Sequence, residues 1–313
     1  MIRVILLSAY VAVFAVSAAD NPPPPAAKDD PVETAYQNLL EQDNKAQADI
    51  DNWILEERRL QDQGAGIPLS TLQLRIEQRR KKVEDAYKSF LFHNPSHVNS
   101  RLAYGSFLND LGREGEAAEQ WRKATELAPK NPAAWNNLAN YHGHNGPISK
   151  AFEYYEKAIE LSPEESVYHH NFAVTVYLFR KDARQYFKTD EDGVFDKSLA
   201  LYREALKLDP DNFELATDYA QSYYGIRPPR IADGIKAWTA ARKLARDDFE
   251  REGVEIHLAR FEINAGKFDE AKQRLQSIKD KRYTDLVKRV LDSLERKRLA
   301  AAGLSAPAEG AAQ

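Results

Sequence analysis

Apolar positions recur at helical spacing along most of the chain, and one pair of predicted helices recurs with them. The clearest pair covers residues 132–165, where large and small apolar residues alternate and a proline follows. Its small residues are Ala139, Ala151 and Ala158, and its large ones are Trp135, Leu138 and Tyr155. Small residues let two helix backbones approach closely, while large ones fill the space around them. Gly146 allows the turn between the helices, and Pro163 ends the second helix.

The same pattern recurs at an offset of thirty-four residues. Gly112, Ala117, Trp121, Ala124 and Pro129 stand one offset before Gly146, Ala151, Tyr155, Ala158 and Pro163. Later copies are looser and comprise Tyr202, Ala205 and Pro210, then Trp238 and Ala241, then Gly266 and Ala271. A hairpin of this length cannot bury its apolar face alone, so the pattern predicts hairpins that stack on one another.

This register resembles the tetratricopeptide repeat family, most closely between His97 and Glu165 and more loosely to about Lys281. The resemblance implies an all-α fold, a right-handed α-solenoid of helical hairpins. It also implies a protein that binds other proteins. The family serves as a scaffold in unrelated pathways, so the likeness specifies the fold better than the function.

The flanking patterns predict a long helical hairpin before the repeats and a capping helix after them, because the ends of a stack must be covered. The predicted organisation is a signal peptide (1–19), a proline-rich linker (20–31), an N-terminal helical hairpin (32–95), repeats (96–281), a C-terminal capping helix (282–300) and a disordered tail (301–313). The repeats divide at about 98–131, 132–165, 166–212, 213–248 and 252–281.

The third repeat carries an insertion at about residues 177–194. Tyr177, Leu178 and Phe179 continue the apolar character of the preceding helix, so we expect that helix to extend by a turn or two before a polar loop. Insertions in solenoids map to one face and can shape a binding surface. A surface loop without a binding role is the alternative.

The first twenty residues predict export. One arginine precedes an uncharged apolar run from Val4 to Ala19, which ends in the small residues Ser17, Ala18 and Ala19. The run is short for a membrane span of about twenty residues and suits a cleaved secretory signal. An uncleaved membrane anchor is the alternative. Export without cysteine favours a bacterial periplasm or cell envelope, since the chain can form no disulfide.

Composition and motifs argue against several kinds of chemistry. A formal net charge of −4 with 29% charged residues suggests neither nucleic-acid binding nor attraction to an anionic membrane surface. The seven histidines lack metal-ligand spacing, since His142 and His144 point to different sides of a helix. We find no motif of a metalloprotease, a phosphate-binding loop or a serine hydrolase. The sequence therefore predicts no catalytic residue, no metal and no cofactor.

The predicted binding site is the concave side of the solenoid, which the first helix of each hairpin lines. The residues there that packing does not require are Asn109, Asn136, Asn140, His170, Asn171, Tyr177, Asp218, Gln221 and Tyr224. Amide side chains can pair with both the donor and the acceptor of a peptide backbone, and tyrosine adds flat contact area. This set predicts a groove for an extended peptide or a partner helix.

Asn140 and Asn171 match two asparagines of the family members that clamp a terminal carboxylate. The basic residues of that clamp are absent, because Asn136, Glu214 and Asp218 occupy their positions. A ligand carboxylate would be repelled by Asp218, so we expect a segment that carries lysine, arginine or a free amine. The leading prediction is an exported, non-enzymatic scaffold or adaptor. The alternatives are an assembly subunit of a cell-envelope complex and, less favoured, a metal-dependent enzyme.

Overall fold

The computed structural model describes residues 30–304, and every regular element within that range is helical. The prediction of an all-α fold is confirmed. Within the described range the chain forms two compact units, residues 30–163 and residues 164–304. In both units neighbouring helices pair into hairpins, and successive hairpins pack against each other, which is the arrangement of an α-solenoid. The signal peptide, most of the predicted linker and residues 305–313 lie outside the described residues.

The first unit begins with a long hairpin and continues with two shorter ones. Its helices are α1 (Pro31–Asp62), α2 (Leu69–His93), α3 (Val98–Asp110), α4 (Glu114–Leu127), α5 (Pro132–Asn145) and α6 (Ile148–Leu161). Polar contacts join α1 and α2, since Nε of Arg79 donates to Oδ2 of Asp49 over 3.0 Å. The guanidinium of Arg75 lies 3.7 Å from the ring centre of Trp53, which adds a cation–π contact.

Small residues form the contact seams of the shorter hairpins, as their spacing predicts. A β-carbon on Gly105 would lie 2.2 Å from the indole nitrogen of Trp121, so only glycine fits between α3 and α4. In the next hairpin Ala151, Tyr155 and Ala158 are wholly buried. Gly112 and Gly146 follow α3 and α5 with φ angles of 73° and 71°, a left-handed conformation that glycine adopts without steric cost.

Side-chain caps fix where several helices begin. Oδ1 of Asn131 accepts a hydrogen bond from the backbone N–H of Ala134 at the start of α5. Asp30 caps α1 in the same way by accepting from the N–H of Val32 over 2.8 Å. The predicted linker to residue 31 is therefore too long at its end, because Asp30 is the cap and Pro31 is the first residue of α1. Proline suits that position, since its missing N–H would have no helical partner there.

The second unit contains the later repeats. Its helices are α7 (Ser166–Leu178), α8 (Arg180–Phe187), α9 (Glu191–Leu208), α10 (Phe213–Ser222), α11 (Ile231–Leu244), α12 (Asp248–Asn264), α13 (Phe268–Gln276) and α14 (Thr284–Ala301). A 3-10 turn, Lys281–Tyr283, precedes α14. The hairpins are α7 with α9, α10 with α11, and α12 with α13, and α14 packs against the last of them. Trp238, Phe195 and Phe261 lie in the core shared by the first two hairpins and α12.

The inserted segment differs from the expectation of a longer first helix and a polar loop. The helix α7 ends at Leu178, and the insertion folds into the short helix α8, which packs against α9. Phe179, Ala183 and Phe187 recur every four residues, so the segment has an apolar helical stripe, and Ala183 at its centre is fully buried. The polarity of the remaining positions concealed this stripe.

Candidate partner-binding surface

The candidate surface in the second unit begins where α7 faces α10. Nε2 of His170 lies 3.0 Å from Oδ2 of Asp218, and the sequence analysis predicted both residues for the binding site. His170 is buried, whereas the side chain of Asp218 is 25% exposed. The exposed part of the Asp218 carboxylate leaves room for a second partner.

A tyrosine and a histidine continue this surface from α10 to α12. The hydroxyl of Tyr224 lies 2.9 Å from Nδ1 of His257, whose ring stacks on Trp238 with centroids 4.2 Å apart and an interplanar angle of 1°. Burial, together with the positive charge of Arg260, lowers the pKa of His257 to about 3. His257 is therefore neutral at physiological pH and provides one donor and one acceptor nitrogen.

Tyr177 holds the end of α7 against the turn that follows α10. The backbone of Gly225 packs against the Tyr177 hydroxyl, since a β-carbon on Gly225 would lie 2.1 Å from that oxygen. Burial raises the pKa of Tyr177 above its usual value, so the hydroxyl stays protonated. Tyr177 therefore fixes the position of the turn that follows α10.

Gln221 lies between Asp218 and Tyr224 in the sequence of the same segment and is half-buried. Its side-chain amide has no hydrogen-bond partner within residues 30–304, so its donor and acceptor are available to a ligand. We call the set His170, Asp218, Gln221, Tyr224 and His257 the polar row.

His257 is not among the residues predicted from the sequence. The signal was present, because His257 lies in the first helix of the repeat predicted at 252–281, and the first helix of each repeat lines the predicted binding site.

The predicted asparagines are more deeply placed than the sequence analysis assumed. Asn136 and Asn171 are wholly buried, and Asn140 is 5% exposed. Nδ2 of Asn136 donates to Oδ1 of Asn137 over 3.3 Å, and Oδ1 of Asn140 accepts from the hydroxyl of Tyr155 over 2.6 Å. Buried amides need such partners, because an unpaired polar group costs free energy in the interior. Contact of these three asparagines with a partner stays a prediction.

Asn109 lies in the first unit, half-buried at the end of α3. It is therefore separate from the polar row, whose members all belong to residues 164–304. Of the residues predicted in the second unit, His170 and Asp218 contact each other directly.

The described residues offer no metal centre and no membrane span. Among residues 30–304, no group of three or more histidine, cysteine, aspartate or glutamate side chains could hold a metal ion. Within the same range no helix is sufficiently long and apolar to cross a bilayer.

Comparison with known proteins supports the repeat assignment. Family models described as tetratricopeptide repeat match residues 98–141 and residues 132–165. The photosystem I assembly protein Ycf3 of Rippkaea orientalis is 30% identical over 106 residues, which cover 33% of this chain and 61% of that protein. Regulator of microtubule dynamics protein 1 of Homo sapiens is 28% identical over 113 residues, 31% of this chain and 36% of the relative. The chain thus spans less than two thirds of the length of these relatives.

A solved structure described as a functional characterization of Pseudomonas aeruginosa pilF shares the fold. It aligns with a TM-score of 0.52 at 13% identity and covers 81% of this chain and 99% of that one. The thirty-four-residue register, the glycine and alanine seams between paired helices and the two family matches agree. Together they show that residues 98–165 of this chain form tetratricopeptide repeats.

Proposed function

We propose that the chain is a non-enzymatic, exported scaffold or adaptor that binds an extended peptide or a helix of a partner protein along the polar row. The observation that carries the proposal is the alignment of partly exposed polar groups across consecutive hairpins of the second unit. Asp218, Gln221 and Tyr224 lie within seven residues of one another and contact α7 on one side and α12 on the other. Such a row can follow an extended chain for several residues.

The charge of the row favours a partner segment with a cation. Glu214, which precedes Asp218 by one helical turn, pairs with Arg246 over 2.6 Å and is therefore compensated. Asp218 has only the neighbouring His170 as an ion-pair candidate in the part of the chain that the structure describes. A lysine, an arginine or a free amine of the partner would complement Asp218, whereas a terminal carboxylate would be repelled.

Selection from a peptide library with the full chain tests this proposal. We expect selected peptides to carry a basic residue, and we expect Asp218→Asn and Gln221→Ala each to weaken their binding at least fivefold. Asp248→Asn serves as the control, because that carboxylate is 91% exposed at the start of α12. Selected peptides without basic residues, or binding that neither variant weakens, would contradict the proposal.

Export to a periplasm or cell envelope is part of the proposal and is supported by the composition of residues 1–19. Expression of the full chain in a bacterium, followed by fractionation and N-terminal sequencing, tests it. A mature N-terminus near Asp20 in the periplasmic fraction is expected. Full-length protein in the cytoplasm would oppose export, and full-length protein in the membrane would identify an anchor.

A role as an assembly subunit is the second candidate, favoured by exposed apolar side chains near the tip of the α1–α2 hairpin. Leu55, Leu69 and Leu74 are 61%, 61% and 54% exposed. Exposed apolar groups of this kind can mark contact sites. The relative Ycf3 is named an assembly protein. Loss of a partner on Leu55→Ser with Leu69→Ser, but not on Asp218→Asn, would favour this candidate.

A further inference from the structure

A cavity of about 220 Å³ lies in the first unit between α1, α2 and α3. Its lining includes Asp43, Tyr87, Ala103, Ser106, Phe107 and Asp110. The exposed residues Asn44 and Gln47 also line it, so the cavity opens to solvent. The polar row has no part in this cavity.

The two carboxylates of the cavity are not matched by cations. Neither Asp43 nor Asp110 forms an ion pair within 4.0 Å in residues 30–304. Tyr87 donates to Oδ2 of Asp43 over 2.6 Å, a neutral contact. Burial raises the pKa of both carboxyl groups, and the charge of Asp43 further raises that of Asp110. Ionising either carboxyl group is therefore costly unless a cation lies beside it.

Arg80 lines the same cavity without pairing with either carboxylate. The positive charge of Arg80 favours the ionised form of Asp110. One guanidinium balances only one of two ionised carboxylates, so a second cation is needed for neutrality. A cation bound between Asp43 and Asp110 would neutralise the second carboxylate charge.

A buried hydroxyl lines this cavity as a third polar group. Oγ of Ser106 is buried and has no hydrogen-bond partner among residues 30–304. One repeat later, the equivalent residue Asn140 receives the hydroxyl of Tyr155. The residue equivalent to Tyr155 is Trp121, whose indole N–H donates to the carbonyl of Leu102 instead. Ser106 is therefore left with an acceptor that a ligand N–H can use.

The size of the cavity limits the ligand. A volume of about 220 Å³ far exceeds the roughly 10–15 Å³ that holds one water, and it is smaller than the roughly 300–1,000 Å³ of pockets for drug-sized ligands. Ala46, Ile50 and Phe107 supply apolar wall. An aliphatic stem that ends in a cation fits both the walls and the charge.

We propose that this cavity binds the side chain of a lysine or arginine from a partner polypeptide, with the cation between Asp43 and Asp110. The stem lies along the apolar wall, and Ser106 accepts a hydrogen bond from the cation. This site extends the proposed scaffold function to the first unit, and it can exist whether or not the polar row binds a peptide.

Titration of the full chain with Nα-acetyl-arginine amide tests the site, with Nα-acetyl-citrulline amide as the uncharged isostere. In methyl NMR spectra we expect saturable shifts of the Ala46, Ala103 and Leu111 methyl groups with the arginine compound and none with citrulline. Asp110→Asn should weaken binding at least fivefold. Arg80→Gln should strengthen it about threefold, because it removes the competing cation.

Asp85→Asn is the matched control, since Asp85 is an exposed aspartate on α2 that forms an ion pair with Lys81. It should leave the affinity unchanged. Equal shifts with citrulline, absence of saturable shifts, or equal effects of Asp110→Asn and Asp85→Asn would overturn the proposal. The urea-unfolding midpoint of each variant shows that it is folded. Failure here leaves the dependence of peptide binding on Asp218 intact, so the two proposals fail separately.

Discussion

The hydroxyl of Tyr155 lies 2.6 Å from Oδ1 of Asn140, and this hydrogen bond joins the two helices of the hairpin α5–α6 inside the first unit. Both side chains are buried. The bond adds a directional contact to a seam that otherwise depends on packing of small residues. The equivalent pair one repeat earlier, Trp121 and Ser106, forms no such bond.

Removing this hydroxyl should destabilise the protein. Tyr155→Phe deletes a buried donor and leaves Oδ1 of Asn140 with one partner fewer. We therefore expect the free energy of unfolding to fall by about 1–3 kcal/mol. Tyr154→Phe is the control, because Tyr154 is half-buried on the same helix and its hydroxyl forms no hydrogen bond within residues 30–304. Urea denaturation measures both. Equal stabilities of the two variants would show that the Tyr155 bond contributes nothing.

Two glycines of the α3–α4 hairpin should respond differently to alanine. Gly105→Ala places a methyl group 2.2 Å from the Trp121 indole. Because this overpacks the helix contact, we expect the free energy of unfolding to fall by about 1–3 kcal/mol. Gly115→Ala meets no atom within 4 Å and lies in the first turn of α4. Alanine is the better helix former by up to about 1 kcal/mol, so this variant should be unchanged or more stable. Thermal denaturation of both variants measures the sign of each stability change.

Arg274 stabilises the last hairpin by pairing with two buried glutamates of α12. It donates to Glu262 over 2.9 Å and 2.6 Å and also pairs with Glu255. Arg274→Ala would leave the buried Glu262 carboxylate without its cation, so we expect the free energy of unfolding to fall by about 3 kcal/mol. This figure is at the low end of the range for a broken buried pair, since the guanidinium is 26% exposed.

The control is Arg251→Ala, whose ion pair with Asp248 is exposed and should contribute less than about 0.5 kcal/mol. Arg274→Lys keeps the charge and cannot donate to Glu262 in the same bidentate way, so its loss should be intermediate. A lysine variant as stable as the parent would show that charge alone is needed. Chemical denaturation at low and high salt provides the comparison.

His257 should make stability fall with acid. Its pKa is lowered from 6.5 to about 3 in the folded chain, so between these values the unfolded chain binds a proton that the folded chain does not. Stability therefore rises with pH across this window, by at most about 1.4 kcal/mol per pH unit for one group, and this contribution is complete above about pH 6.5.

Replacing the imidazole by an amide tests that dependence. His257→Gln should show a shallower decline of the urea midpoint between pH 6.5 and pH 4 than the parent chain does. His93→Gln, at an exposed histidine near the end of α2, should follow the parent profile. Parallel profiles for the parent and His257→Gln would refute the assigned role of His257.

The spacing of small and large residues predicts the hairpins well, because a close helix contact needs glycine or alanine at fixed positions. Gly105 and Ala158 are examples, and each lies where the thirty-four-residue register places it. The burial of individual polar side chains was harder to predict. Asn136 and Asn171 have the polarity of surface residues, yet they are buried, since burial depends on side chains contributed by distant parts of the chain.

Contacts between side chains of separate helices could not be predicted from the repeat pattern either. His257 hydrogen-bonds Tyr224, thirty-three residues earlier, and Tyr87 hydrogen-bonds Asp43 across forty-four residues. A periodic pattern assigns each residue to a helix face. It does not determine which two faces meet at hydrogen-bond distance.

By itself the sequence determined the helical repeats, their turns and the residue types on their inner helices, because these depend on local spacing and on backbone preferences. Only the tertiary structure decided that the Gln221 amide has no partner among the described residues, that the insertion forms α8, and that Asp43 and Ser106 line one cavity. These features depend on how side chains from separate helices fill or leave space, and packing of that kind is set in three dimensions.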